Sequence, residues 1–107
     1  MLKVDTADLQ AFAARAGEVA DILKLLGNRA RLMILCKLAE LGTASVGDLA
    51  EAIGLSQSAT SQHLAKLRAE DIVSFRRDGQ TLWYEVADPR LGRLLDSLHA
   101  IYCEDIT

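Results

Sequence analysis

Between positions 57 and 66 the chain carries Gln57, Ser58, Ser61, Gln62, His63 and Lys66, a set of amides, hydroxyls, an imidazole and an ammonium with no acid among them. Groups of that kind match the donors and acceptors of base edges and phosphate oxygens in duplex DNA. The surrounding segment, LSQSATSQHLAKLR (55–68), has helical periodicity. Thr60, Leu64 and Leu67 recur at i, i+4 and i+7, a narrow stripe that can pack inward. Ser56 stands where its hydroxyl can cap free N–H groups of the first turn, and it too is a candidate for DNA contact. A solvated helix face has much the same composition, so the segment has to be judged by its context. Lys66 and Arg68 suit phosphate contact at most, and His63 suits a structural place as well as a DNA contact.

The second reactive set is a pair of thiols, Cys36 and Cys103, the only cysteines of the chain. A thiolate is a nucleophile, so two thiols brought together can exchange with disulfides or be oxidised reversibly. A buried cysteine is equally a small inert hydrophobe, and disulfides inside cells are rare unless transient or sensory. The two positions lie 67 residues apart, so only the fold can bring them together. No nucleophile–base constellation, paired-carboxylate motif or phosphate loop is present, which speaks against an enzyme. The chain has two histidines, and one of them sits in the polar helix, so no convincing His/Cys metal cluster remains and no cofactor is implied.

Positioning these groups falls to short helices and one hairpin. From Ala7 to Leu26 the apolar residues Phe12, Ala16, Val19, Ile22, Leu23 and Leu26 follow helical spacing. Gly27 ends that helix, and Asn28 can cap a second whose apolar face holds Leu32, Leu35, Cys36 and Leu38, closed by Gly42. Ser45 with Asp48 is a variant capping box opening the short helix SVGDLAEAI, which Gly54 stops. A short helix, a glycine turn and a second helix with a polar face make a helix-turn-helix. Ile72, Val73 and Phe75 then lead through Arg76-Arg77-Asp78-Gly79 to a β-branched and aromatic run at 81–86. That pattern predicts a hairpin, a wing whose Arg76 and Arg77 can reach phosphates or a minor groove. Asp88-Pro89 opens a last helix with a stripe of Leu91, Leu94, Leu95, Leu98, Ile101 and Tyr102. The expected fold is mainly α with a β-hairpin wing, α-α-α-α-β-β-α, as one domain over 1–107.

The net charge of −3 runs against nucleic-acid binding, but the acid is unevenly spread. Residues 54–80 hold 4 basic and 3 acidic side chains, whereas residues 81–107 hold 2 and 5. A locally basic face on an acidic chain still suits DNA, with weak non-specific binding. The apolar runs are too short to span a membrane, and the start MLKVDTADLQ does not read as a secretory signal, so the expected location is the cytoplasm.

Over nearly its whole length the chain resembles the ArsR-type family of small dimeric repressors. The residues that carry this are LGNRARLMIL (26–35), SVGDLAEAIGLSQSATSQHLAKLR (45–68) and the wing with Trp83 and Tyr84. It is most similar to the sulfide- and redox-responsive branch, in which one cysteine lies in the helix before the helix-turn-helix and another near the end of the last helix. Here those places hold Cys36, in RLMILCKL, and Cys103, in LHAIYCED. Family metal sensors often carry a cysteine pair where this chain has TASVGDL (43–49), or several ligands on the last helix, where it offers only Asp88, Asp96, His99 and Glu104.

The resemblance implies a winged helix-turn-helix repressor of an inverted-repeat operator in double-stranded DNA, a homodimer that makes no use of a membrane. Cys36 and Cys103 would be the redox-sensing pair, joined by an oxidant or persulfide acting as inducer. The last helix has a stripe too broad for one small domain to cover. With the first helix it is read as the dimer interface, through Phe12, Val19, Leu91, Leu95, Leu98 and Tyr102. Two other readings stay open at this point: a metal-responsive repressor of the same fold, and a winged-helix module that docks protein.

Overall fold

The computed structural model describes residues 5–103. Its elements run α1 (Thr6–Ala13), α2 (Ala16–Leu26), α3 (Arg29–Leu41), β1 (Ala44–Ser45), α4 (Val46–Ile53), α5 (Gln57–Ala69), β2 (Val73–Asp78), β3 (Thr81–Val86) and α6 (Pro89–Cys103). The helix starts follow side-chain chemistry. The Asn28 carboxamide oxygen accepts from the Arg31 N–H at 3.0 Å, Ser45 Oγ from the Asp48 N–H at 3.1 Å and Ser56 Oγ from the Ala59 N–H at 3.1 Å. Each satisfies one of the donors that a helix N-terminus leaves free. Between α4 and α5, Gly54 takes a left-handed conformation (φ +74°), where a side chain would be strained, and this permits the tight turn of the helix-turn-helix.

The strands form one antiparallel sheet in the order β1-β3-β2, with Phe75 opposite Tyr84 and Asp78 opposite Thr81. Only Gly79 and Gln80 lie between the last pair. Gly79 has φ +64° while Gln80 does not have positive φ, the pattern of a type II′ hairpin turn centred one residue later than Asp78-Gly79. The core is built where α3, α5 and α6 meet the sheet. Ile34, Leu35 and Leu38 of α3, Leu49 of α4, Leu64 and Leu67 of α5, and Ile72 and Val73 at the base of the wing are all buried. Thr60 is buried with them, and its hydroxyl donates to the Ser56 carbonyl at 2.8 Å, so it leaves no unmet polar group. No helix among the described residues is long and apolar enough to cross a membrane.

Three expectations are corrected. The expected first helix is two, α1 and α2, broken at Ala14-Arg15. Neither residue is a helix breaker, but α1 buries no side chain in this chain, so no packing holds it in line with α2. A third strand, β1, adds to the wing by pairing Ala44 with Tyr84 and Ser45 with Trp83. Most consequential is the split of the α6 stripe. Leu91 and Leu95, expected in a dimer interface, are 2% and 4% exposed and belong to the core of their own chain. One i, i+4 pair of leucines therefore faces inward, while Ile101 and Tyr102, at the far end, remain exposed at 63% and 79%.

Candidate nucleic-acid interface and thiol cavity

Helix α5 presents Gln57, Ser58, Ser61, Gln62 and Lys66 to solvent along one exposed surface, while Thr60, Leu64 and Leu67 hold its opposite stripe in the core. No acid lies in its first turn, so the partial positive charge of the N-terminus is not neutralised there. Ser56 serves first as the cap. The Gln57 side chain lies across the start of α4, its amide nitrogen 3.5 Å from where a Cβ on Gly47 would stand. The two helices of the motif thereby approach one another at their N-terminal ends.

His63 departs from the outward set. It is half-buried, its Nδ1 is enclosed without a hydrogen-bond partner, and the Arg31 and Lys66 cations stand near it. An N–H at that nitrogen would be unmatched beside two cations, so the ring proton belongs on Nε2. Arg31 is held in turn by its Nε–H, which donates to the Leu25 carbonyl at 2.7 Å. Burial first, and then those two cations, lower the His63 pKa. As pH falls through about 6.5 the unfolded chain takes up this proton before the folded one, so acidification costs stability. Urea midpoints measured between about pH 7.5 and 5 are therefore expected to fall for the wild type and to fall less for His63→Gln. Equal pH slopes for the two proteins would refute it.

On the wing, Arg76 and Arg77 are both exposed and stand opposite Trp83 and Leu82. Adjacent strand residues point to opposite faces of a sheet, so the two arginines project from different faces of the exposed wing. Arg68 was a candidate phosphate contact, yet its guanidinium carbon lies 4.1 Å from the centroid of the Phe75 ring. No local pattern marks that pairing, because it joins a helix end to a strand across a turn.

The two thiols line one recess. A concave cavity of about 760 Å³ lies between α3 and α6, and Cys36 and Cys103 both line it. Its other walls are mainly apolar, from Leu32, Met33, Leu95, Leu98 and Tyr102, with Glu40, Asp96 and His99 also on it. Both cysteines are half-buried free thiols. Burial, and after it the charge that Cys103 would carry, push the Cys36 thiol above its ordinary range, so Cys36 is held protonated at neutral pH. Among the described residues no three His, Cys, Asp or Glu side chains converge to hold a metal ion. Glu104, one of the possible ligands named from the last helix, lies outside those residues. Asp88 is engaged by Arg90, whose guanidinium also reaches Glu18 of α2 at 3.1 Å.

Residues 28–74 match the family described as bacterial regulatory protein, arsR family. A biofilm growth-associated repressor from Agrobacterium fabrum is 40% identical over 102 residues, covering 95% of this chain and 86% of that protein. The structure of reduced HlyU from Vibrio cholerae superposes with a TM-score of 0.81 at 37% identity, over 88% of this chain and 98% of that one. A homodimeric winged helix-turn-helix DNA-binding domain from Mycobacterium bovis gives a TM-score of 0.76 at 29% identity, over 99% and 94% of the two chains.

Proposed function

The chain belongs to the arsR family of bacterial regulatory proteins, and on that premise we propose that it is a cytoplasmic repressor whose operator affinity is set by the state of Cys36 and Cys103. The observation that carries this reading is the shared cavity: two thiols from distant parts of the chain line one apolar recess between α3 and α6. Helix α3 packs on α4 and α5, so a covalent link from α3 to α6 would act on the support of the reading helix. The reduced form of HlyU, similar over most of its length, offers a parallel for a regulator with a defined reduced state.

In the dithiol form a homodimer would place two α5 helices in successive major-groove faces of an inverted-repeat operator. Leu9 and Phe12 of α1, Leu23 of α2, and Ile101 and Tyr102 of α6 are exposed large apolar side chains that a second copy can cover, with Val19 and Leu98 half-buried beside them on α2 and α6. The inducer is a persulfide or other thiol oxidant. We assign the first attack to Cys103, since burial pushes the Cys36 thiol up and disfavours its thiolate. The Cys103 thiolate takes the outer sulfur of a persulfide and releases the parent thiol. The Cys36 sulfur then attacks the Cys103 Sγ and expels hydrogen sulfide, leaving a disulfide. Two protein thiols and one persulfide thus give one disulfide, one thiol and one hydrogen sulfide. Each extra bridging sulfur consumes one further persulfide and releases one further thiol. Cellular thiols reverse the link by exchange.

Mass spectrometry of the full chain after treatment with an organic persulfide tests the assignment. The expected product is an intramolecular Cys36–Cys103 peptide pair that resists alkylation until reduced. Two freely alkylated cysteines in protein that has nevertheless released DNA would overturn it.

A further inference from the structure

Arg68 is exposed in the last turn of α5, the place from which a cation would ordinarily reach a DNA phosphate. In this structure its guanidinium lies instead over the Phe75 ring, 4.1 Å from the centroid, and it makes no ion pair or side-chain hydrogen bond among the described residues. Phe75 has a second aromatic neighbour. Its ring centre lies 5.3 Å from that of Tyr84, tilted by 57°, and the two residues are register partners across β2 and β3. Tyr84 is buried and is itself paired with Ala44 of β1, so the stack ends in the body of the domain.

The backbone alone joins α5 to the wing through a short turn. Asp71 takes φ +58° there, its N–H donates to the Arg68 carbonyl at 3.0 Å, and the Ile72 N–H donates to the Leu67 carbonyl at 3.0 Å. These bonds hold the base of β2. One residue beyond Phe75, the strand leaves the body with Arg76 and Arg77. Arg68 over Phe75 is thus a second point of attachment, a side-chain one, where the strand begins to project.

We propose that Arg68 is a wing-positioning residue: through Phe75 and Tyr84 it sets the direction of Arg76 and Arg77 relative to the reading helix, and it is not itself a phosphate contact. The inference rests on the reading that α5 and the wing both meet DNA. Its consequence is that losing the clamp costs the wing contacts as a group. A lost phosphate contact lowers the salt slope of binding by about one, whereas loss of the clamp lowers it by more than one, since two arginines lose their place.

The test uses the full chain and a duplex selected by the wild-type protein from a random-sequence pool. Arg68→Met and Phe75→Leu are each expected to weaken binding by about threefold or more. The double variant should be no weaker than the worse single one, because both remove the same clamp. Hydroxyl-radical protection should fall at the flanks of the site and persist at its centre. In the free protein, nitrogen-15 relaxation at Arg76, Arg77 and Asp78 should show greater mobility in Arg68→Met than in the wild type. Additive losses, a slope change of one from Arg68→Met, and full binding by folded Phe75→Leu would overturn the proposal in favour of a phosphate contact. Unchanged wing mobility in Arg68→Met would also overturn it. If the wild type selects no duplex, the DNA reading fails, and the relaxation measurement still decides whether the clamp holds the wing.

Discussion

Leu64→Ala is expected to lower the stability of the chain by about 3 kcal/mol, within the range of roughly 2–5 kcal/mol for fully buried leucines. Leu64 is the middle residue of the inward stripe of α5 and has no exposed surface. Its neighbours in the core come from α3, α4 and the base of the wing, so a cavity here loosens every element that carries the candidate DNA face. A domain of this size has a total stability of about 5–15 kcal/mol, so one such cavity removes a large part of it. The urea midpoint should fall by about 1–3 M with little change in slope. Gln62→Ala, two positions away on the exposed face, should change stability by less than about 0.5 kcal/mol while weakening specific binding. A Leu64→Ala protein as stable as Gln62→Ala would show that α5 does not dock through this stripe.

That contrast between positions 62 and 64 was readable from residue types alone, as were the helix limits around them. Ser45, Ser56 and Asn28 cap with the spacing that their side chains permit, and Gly54 sits where a left-handed turn excludes other residues. Such signals are local, so a single sequence displays them. Periodicity shows which residues share a stripe but not what covers it. The α6 leucines were therefore assigned to a partner, when Leu91 and Leu95 are covered by the chain itself. The break after α1 had no breaker residue to announce it. Strand β1 is two residues long and exists only because β3 lies beside it. His63 is half-buried near the Arg31 cation and Arg68 is drawn over Phe75, both through placements between elements that no spacing rule connects. Cys36 and Cys103 belong to the same class: each was visible as a thiol, and their common cavity only in the fold.

Cys36→Ser and Cys103→Ser should each bind the selected duplex as the reduced wild type does, and each should ignore an organic persulfide that releases the wild type. Serine nearly preserves the volume of a half-buried thiol, so the folded state should tolerate both changes. For the wild type, a tenfold loss of affinity needs only about 1.4 kcal/mol of preference for the non-binding geometry. The two variants should fail for different reasons. Without Cys36, Cys103 still takes up sulfur but has no thiol to close the link, so the protein gains mass and stays on DNA. Without Cys103, the remaining thiol is held protonated within the cavity and should react slowly. Release by either variant would separate sensing from the pair. Linkage supplies a further requirement, since the coupling is reciprocal: whatever factor bridging takes from DNA affinity, DNA must take from bridging. For tenfold coupling, the midpoint potential of the Cys36–Cys103 couple should be about 30 mV less negative with saturating duplex than without it. A midpoint indifferent to duplex, in protein whose binding does respond to persulfide, would mean that the thermodynamic switch lies elsewhere in the chain.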